Sequence, residues 1–97
     1  MATVMNMHWP EITRDQYEQA RREVRWETNV PKGAKYHVAW FGGDGFHALD
    51  LWDSQADFER FSQERLMPAL QRLGFQGQPR VEFAAAHAIF APNPGPQ

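Results

Sequence analysis

The segment from Tyr36 to Trp52 constrains the fold more than any other part of the chain. Two runs rich in aromatic and aliphatic residues flank Gly-Gly-Asp-Gly at positions 42–45, where glycines tolerate the positive φ angles of a tight turn. The pattern predicts a β-hairpin whose turn is centred on residues 43–44. This register pairs three sets of residues across the strands: Phe41 with Phe46, Ala39 with Ala48, and His37 with Asp50.

The pair His37 and Asp50 is the best chemical candidate in the sequence. Because side chains alternate between the two faces of a sheet, the two groups become cross-strand neighbours on a largely apolar face. A carboxylate beside an imidazole fixes its tautomer and favours its action as a general base. The alternative is a hydrogen-bonded pair that only satisfies two polar groups in a half-buried sheet.

The first third of the chain predicts a strand followed by a helix. Alternation over residues 2–8 predicts the strand, which Pro10 ends. A capping box from Thr13 to Gln16 then starts a helix that runs to about Trp26.

The part of the chain after the hairpin predicts a helix followed by a strand. Ser54 caps a second helix, which ends at Gly74. Pro68 predicts either a kink near Leu66 or a fresh helical turn with Pro68 at its first position. Residues 81–90 are predicted to form the last strand. Residues 1–90 thus form one domain, and the proline-rich residues 91–97 are expected to be a disordered tail.

The element order βαββαβ predicts an α+β, ferredoxin-like fold. Right-handed crossovers give a four-stranded antiparallel sheet of order 4-1-3-2 with both helices on one face. The other face would expose a large apolar area, which a second copy should cover, so a homodimer is expected. The residues assigned to that exposed face are Met5, Met7, Tyr36, Val38, Trp40, Leu49 and Leu51.

Composition excludes several classes of function. A net charge of −2 and a pI near 6.0 argue against nucleic-acid and anionic-membrane partners, which require basic patches. The absence of cysteine excludes disulfides and thiolate ligands. The apolar runs are too short to span a bilayer, and the N-terminus lacks a basic segment ahead of a hydrophobic one, so a cytoplasmic location is expected.

Leu51-Trp52-Asp53-Ser54, followed by Phe58 and Phe61, resembles the dimeric α+β barrel superfamily. That group includes antibiotic-biosynthesis monooxygenases, haem-degrading monooxygenases and the plant polyketide cyclase that makes olivetolic acid. The resemblance implies that the sheets of two subunits face each other. It also implies a small-molecule pocket in each subunit, between its own sheet and helices.

The same resemblance implies which strand residues face the pocket. Matching the third strand through residues 52–54 places Ala48, Asp50 and Trp52 there. Matching the first strand through residues 11–13 adds three more residues: Val4, Asn6 and His8.

Activity does not follow from the resemblance. The cyclase carries a catalytic tyrosine and histidine on its second helix, where this chain has Phe61 and Met67. The haem-degrading enzymes use an Asn, a Trp and a His. Asn6 matches the first of these, but Phe61 and Gln71 occupy the other two positions.

Three further polar residues are candidates for the site. His8 either points into the cavity or is exposed at its rim, and Asn6 either stabilises an enolate or bonds only to backbone and water. His87 lies among alanines that leave room for a ligand or for close subunit approach, and the sequence does not fix which face it uses. His47, opposite Trp40, should face the dimer or solvent.

Five aromatic residues are expected to form a wall of the pocket: Tyr17, Phe41, Phe46, Trp52 and Phe61. They are either plain core or a binding site for a flat aromatic substrate. His8, His37 and Asp50, with or without His87, could also form a metal site, but they lack a clustered-ligand spacing. We therefore expect no metal and no cofactor.

These observations predict a small cofactor-independent enzyme acting on an apolar or aromatic carbonyl compound. His37, oriented by Asp50, would abstract a proton α to the carbonyl, and His8 or Asn6 would stabilise the enolate. Cyclase, isomerase and monooxygenase-like reactions all remain open. The alternative is a non-catalytic dimeric module that binds a hydrophobic ligand or serves as an accessory protein.

Overall fold

A computed structural model describes residues 2–92, so most of the predicted tail, residues 93–97, lies outside the described part. The four strands form one antiparallel sheet of order β2-β3-β1-β4, as predicted. Among residues 2–92, no helix combines the length and hydrophobicity needed to cross a membrane. The elements in chain order are β1 (Thr3–Trp9), α1 (Arg14–Val24), β2 (Ala34–Gly42), β3 (Gly45–Trp52), α2 (Gln55–Phe61), a π-helical turn (Ser62–Leu66), α3 (Met67–Arg72) and β4 (Arg80–Ala85).

The helix boundaries follow local chemistry. The predicted capping box of α1 is present, but the helix ends at Val24 because Arg25 adopts the left-handed conformation with φ of 58°. Ser54 caps α2 by accepting a hydrogen bond from the Asp57 amide. The predicted kink ahead of Pro68 takes the form of the π-helical turn, which suits a residue that has no amide hydrogen to donate.

The hairpin has the predicted register. Strand β2 pairs with β3 so that His37 lies opposite Asp50 and Phe41 opposite Phe46. Gly45 closes the turn with φ of 106°, and a Cβ there would lie 2.6 Å from the Pro10 Cα. Glycine is therefore required at this position both by backbone conformation and by close approach.

The predicted orientation of β1 is wrong. Met5 lies opposite Asp50, so Met5, Met7 and Trp9 face the helices and are buried. Val4, Asn6 and His8 consequently lie on the other side of the sheet, not on the pocket side. The physical reason is that the uniformly apolar set of alternating residues occupies the core, where the helices exclude water.

The hydrophobic core fills the space between the sheet and the helices. The opposite side of the sheet, which we call the open face, leaves Tyr36, Val38 and Trp40 of β2 at least 40% exposed. Leu49 and Leu51 share that face.

Strand β4 ends at Ala85, earlier than predicted. After a last hydrogen bond from the Ala86 amide to the Ala2 carbonyl, the chain leaves the sheet.

Candidate active site

A cavity of about 250 Å³ lies between the sheet and the helices. Its walls are mainly apolar, and its exposed lining residues include Glu27, Val30 and Lys35, which lie on or next to the connection from α1 to β2. The mouth of the cavity is therefore beside this connection. Six residues represent the apolar wall: Met5, Trp9, Trp52, Ala20, Phe61 and Leu70.

Asp50 is the sole buried charged or polar residue among residues 2–92, with 7% of its surface exposed. Its Oδ1 lies 2.6 Å from His37 Nδ1 across the β2–β3 pair. Trp52, two residues further along β3, donates its indole N–H to Asp50 Oδ2 at 3.0 Å. Both oxygens of the buried carboxylate thus have a donor, which is the condition for keeping a charge inside a protein.

Tyr17 extends this series of hydrogen bonds from Asp50 and His37 toward the mouth of the cavity. Its hydroxyl lies 2.8 Å from His37 Nε2. Because ionised Asp50 can only accept a hydrogen bond, the neutral imidazole carries its proton on Nδ1, and Nε2 accepts from the Tyr17 O–H. We call these four residues the relay: Tyr17, His37, Asp50 and Trp52.

Burial keeps the Tyr17 phenol protonated. Desolvation raises the pKa of Tyr17 to about 12, while the nearby Arg21 guanidinium opposes this shift. Arg21 is itself paired with Glu27 at 2.5 Å, and this hydrogen bond lowers the pKa of Glu27. At neutral pH, Tyr17 therefore acts as a hydrogen-bond donor, and an ion pair lies beside it at the mouth.

Aromatic packing fixes the orientation of the two rings that meet at the mouth. Tyr17 and His37 are nearly parallel, with an interplanar angle of 10°. The Trp26 ring packs edge-on against His37 at 5.4 Å and also contacts Tyr17 at 5.8 Å. These contacts restrict rotation of the groups that would meet a ligand.

The predicted site residues divide into two sets. Phe61 and Trp52 line the cavity and pack together at 5.5 Å, whereas Phe41 packs against Tyr17 without lining the cavity. Asn6 and His8 lie on the open face, so neither joins His37 and Asp50. His87 lies beyond β4, is exposed, and does not line the cavity. The metal set of His8, His37 and Asp50 is therefore divided between opposite faces of the sheet.

Two features of the site were not recognised in the sequence. The first is Trp26, which packs against His37. The second is the hydrogen bond between Tyr17 and His37, since the sequence predicted Tyr17 only as part of an aromatic wall. The predicted topology did contain a signal. Helix α1 connects β1 to the edge strand β2, so its buried stripe, which begins at Tyr17, must pass over the half of the sheet that carries His37.

Comparison with solved structures identifies proteins that share this fold. No protein-family model matches the sequence, and no curated protein matches it. A protein of unknown function from Nitrosomonas europaea is similar in structure, with a TM-score of 0.65 and 16% identity over 95% of this chain and 94% of that one. SnoaB, a cofactor-independent oxygenase from Streptomyces nogalater, has a TM-score of 0.63 and 14% identity over 95% and 97% of the two chains.

A third structure is the monooxygenase ActVA-Orf6 of Streptomyces coelicolor in complex with nanaomycin D. It has a TM-score of 0.59 and 18% identity over 95% of this chain and 92% of that chain. The chain shares its α+β fold with these three proteins and with two structures described as antibiotic-biosynthesis monooxygenases. The resemblance inferred from the sequence is thereby confirmed for the fold, and at these identities the likeness extends to the fold alone.

Proposed function

We propose that this chain is a small enzyme that performs acid–base chemistry on an apolar, aromatic compound bearing a carbonyl or phenol group. The relay, which lies in the wall of an otherwise apolar cavity, carries this proposal. A buried carboxylate that orients an imidazole toward a phenol is the arrangement that proton transfer requires. Two structurally similar proteins, SnoaB and ActVA-Orf6, are an oxygenase and a monooxygenase, and SnoaB is cofactor-independent.

The relay supports one specific proton transfer. The aromatic body of the substrate would lie against Trp52 and Phe61, with its polar group toward Tyr17 and His37. Once the substrate has displaced the Tyr17 O–H from Nε2, the freed Nε2 lone pair of His37 takes a proton from a C–H α to the carbonyl or from a phenol O–H. Asp50 then stabilises the imidazolium.

The negative charge left by this transfer resides on the substrate oxygen. The Tyr17 hydroxyl, released from His37 Nε2, donates a hydrogen bond to that oxygen. Tyr17 therefore takes the role that the sequence analysis gave to His8 or Asn6. Tyr17 and His37 are the catalytic residues, and Asp50 and Trp52 are positioning residues. Ring closure, isomerisation and reaction with O₂ all start from such an anion.

Deuterium exchange tests the proposal before the natural substrate is known. With 2-tetralone as probe, the wild-type protein should accelerate the exchange of its α protons for deuterium from D₂O, a reaction that NMR monitors. His37→Gln and Tyr17→Phe should each slow the catalysed exchange by about 10²-fold or more. The exposed His87→Gln variant is the matched control and should exchange at the wild-type rate. Equal rates in wild type and His37→Gln would refute the proposal.

The apolar walls of the cavity favour one second candidate, a non-catalytic hydrophobic-ligand-binding protein. Binding of nanaomycin D, measured by quenching of tryptophan fluorescence, distinguishes the two. The second candidate is supported if binding survives His37→Gln, drops in Phe61→Ala, and the wild type does not accelerate exchange.

We also propose that the open face pairs with a second copy of the chain. The support is the row of apolar side chains on β2, of which Tyr36 is 47% and Val38 40% exposed. Light scattering coupled to gel filtration should give a dimer mass for the wild type and a monomer mass for Val38→Arg. A monomeric wild type would contradict the proposal.

A further inference from the structure

A second cluster of polar side chains lies on the open face, at the hairpin end of the sheet. His8 and His47 are directly opposite each other on β1 and β3. Asp44, in the hairpin turn, lies next to both. Its Oδ1 is 2.7 Å from His47 Nε2, and its Oδ2 is 3.6 Å from His8 Nε2. His8 Nε2 also lies 2.8 Å from the Asp44 backbone oxygen.

Ring stacking holds the two imidazoles in place. The His8 and His47 rings are stacked at 4.5 Å with an interplanar angle of 11°, and Trp40 stacks on the other side of His47 at 5.1 Å. The contacts with Asp44 described above direct both Nε2 atoms toward the hairpin turn. One potential ligand atom from each of His8, Asp44 and His47 lies within 4.8 Å of the other two.

We propose that His8, Asp44 and His47 bind a divalent transition-metal ion of the zinc class. Two imidazole nitrogens and one carboxylate oxygen form a donor set suited to such ions. Ligand atoms around tetrahedral Zn²⁺ lie about 3.4 Å apart, given metal–ligand distances near 2.1 Å. The two imidazole nitrogens lie 2.7 and 3.6 Å from different oxygens of the Asp44 carboxylate, so the three ligand atoms must shift to reach that spacing around one ion. Asp44, with 63% of its side chain exposed, can move to adjust these distances.

Binding requires a change of tautomer, together with a shift of Asp44 and of the two stacked rings so that both Nε2 lone pairs converge on one ion. Each Nε2 hydrogen that now points at Asp44 moves to Nδ1, and the freed lone pair binds the metal. The fourth position is left to water or another ligand. This site replaces the metal set considered from the sequence, and it shares no side chain with the relay. It therefore stands or fails independently of the proposed acid–base chemistry.

Calorimetric titration of the full chain with ZnCl₂ tests this site. The protein must carry no histidine tag and must first be treated with a chelator. The expected result is saturable binding of one Zn²⁺ per chain. His8→Gln and His47→Gln should each weaken binding by about tenfold or more. The exposed His87→Gln variant is the matched control and should bind like the wild type.

Two further measurements complete the test. Circular dichroism and melting curves in chelator should show that the variants remain folded, and Asp44→Asn should weaken binding without altering either. Co²⁺ should give visible absorption bands with the wild type that are lost in His47→Gln. No saturable heat with Zn²⁺, or binding that survives His47→Gln, would overturn the proposal.

Discussion

Replacing Asp50 by Asn should reverse the direction of the hydrogen bonds in the relay. The indole N–H of Trp52 can only donate, so the amide oxygen of Asn must face it. The amide NH₂ then faces His37 Nδ1, which must become an acceptor. The ring consequently carries its proton on Nε2 and donates to the Tyr17 oxygen. The base that the proposed mechanism needs is thereby lost, while the shape of the site is kept.

The cost in stability follows from the same contacts. Asp50 accepts two hydrogen bonds, at 2.6 and 3.0 Å, and bonds to a charged group contribute about 1.5–3 kcal/mol each. Neutral bonds of about 1 kcal/mol would replace them. Removing a buried charge offsets part of the loss. We therefore expect the free energy of unfolding to fall by about 1–3 kcal/mol at neutral pH.

Nitrogen-15 NMR of the imidazoles and denaturant unfolding measure both effects without a substrate. The His37 signals, identified by their absence in His37→Gln, should report Nδ1–H in the wild type and Nε2–H in Asp50→Asn. Asp53→Asn is the matched control because Asp53 is 57% exposed and pairs only with Lys35 at the surface. Its stability should change by less than about 0.5 kcal/mol. An unchanged tautomer in Asp50→Asn would refute the reasoning.

Four other variants test Tyr17 of the relay and the fold around it. Tyr17 ionises near pH 10 in the unfolded chain but only near pH 12 in the folded chain. The free energy of unfolding should therefore fall by about 2–3 kcal/mol as the pH rises through that range. Tyr17→Phe should remove this dependence on pH. In Tyr36→Phe, where Tyr17 is the remaining tyrosine, ultraviolet titration should give the raised pKa directly. Met5→Ala, which truncates a side chain 1% exposed, should cost about 2–5 kcal/mol in urea unfolding, and a cost below 1 kcal/mol would contradict the described packing. Gly45→Ala should destabilise by at least about 1–3 kcal/mol, because its Cβ meets the Pro10 backbone at positive φ, and a neutral effect would show that the turn differs.

The parts of the fold that the sequence predicts correctly are those in which local chemistry leaves few alternatives. The turn centre predicted at residues 43–44 fixes His37 opposite Asp50, and the observed register confirms it. Ser54 and the capping box at Thr13 likewise set the starts of two helices. In each case, a backbone hydrogen bond or a φ angle depends on residues that are adjacent in the sequence.

The predictions that are wrong or missing concern features that tertiary packing determines. In β1 both alternating sets contain apolar residues, and the match to the superfamily selected the one containing Asn6 and His8. The apolar character of Met5, Met7 and Trp9 would have selected the correct set. The hydrogen bond between Tyr17 and His37 joins a helix to an edge strand. Local sequence patterns do not predict the distance between two such side chains.

The position of β2 at the sheet edge explains how the chain keeps a carboxylate buried and still connects it to the mouth of the cavity. Burial decreases along the relay, from Trp52, which is 3% exposed, through Asp50 at 7%, to His37, whose side chain is 32% exposed. A histidine on a central strand would be enclosed on both sides, and its second nitrogen would have no route to the mouth. On the edge strand, one nitrogen is held by the core while the other meets Tyr17 beside the opening. In the proposed mechanism, the same sheet position gives the transferred proton a route to and from the ligand.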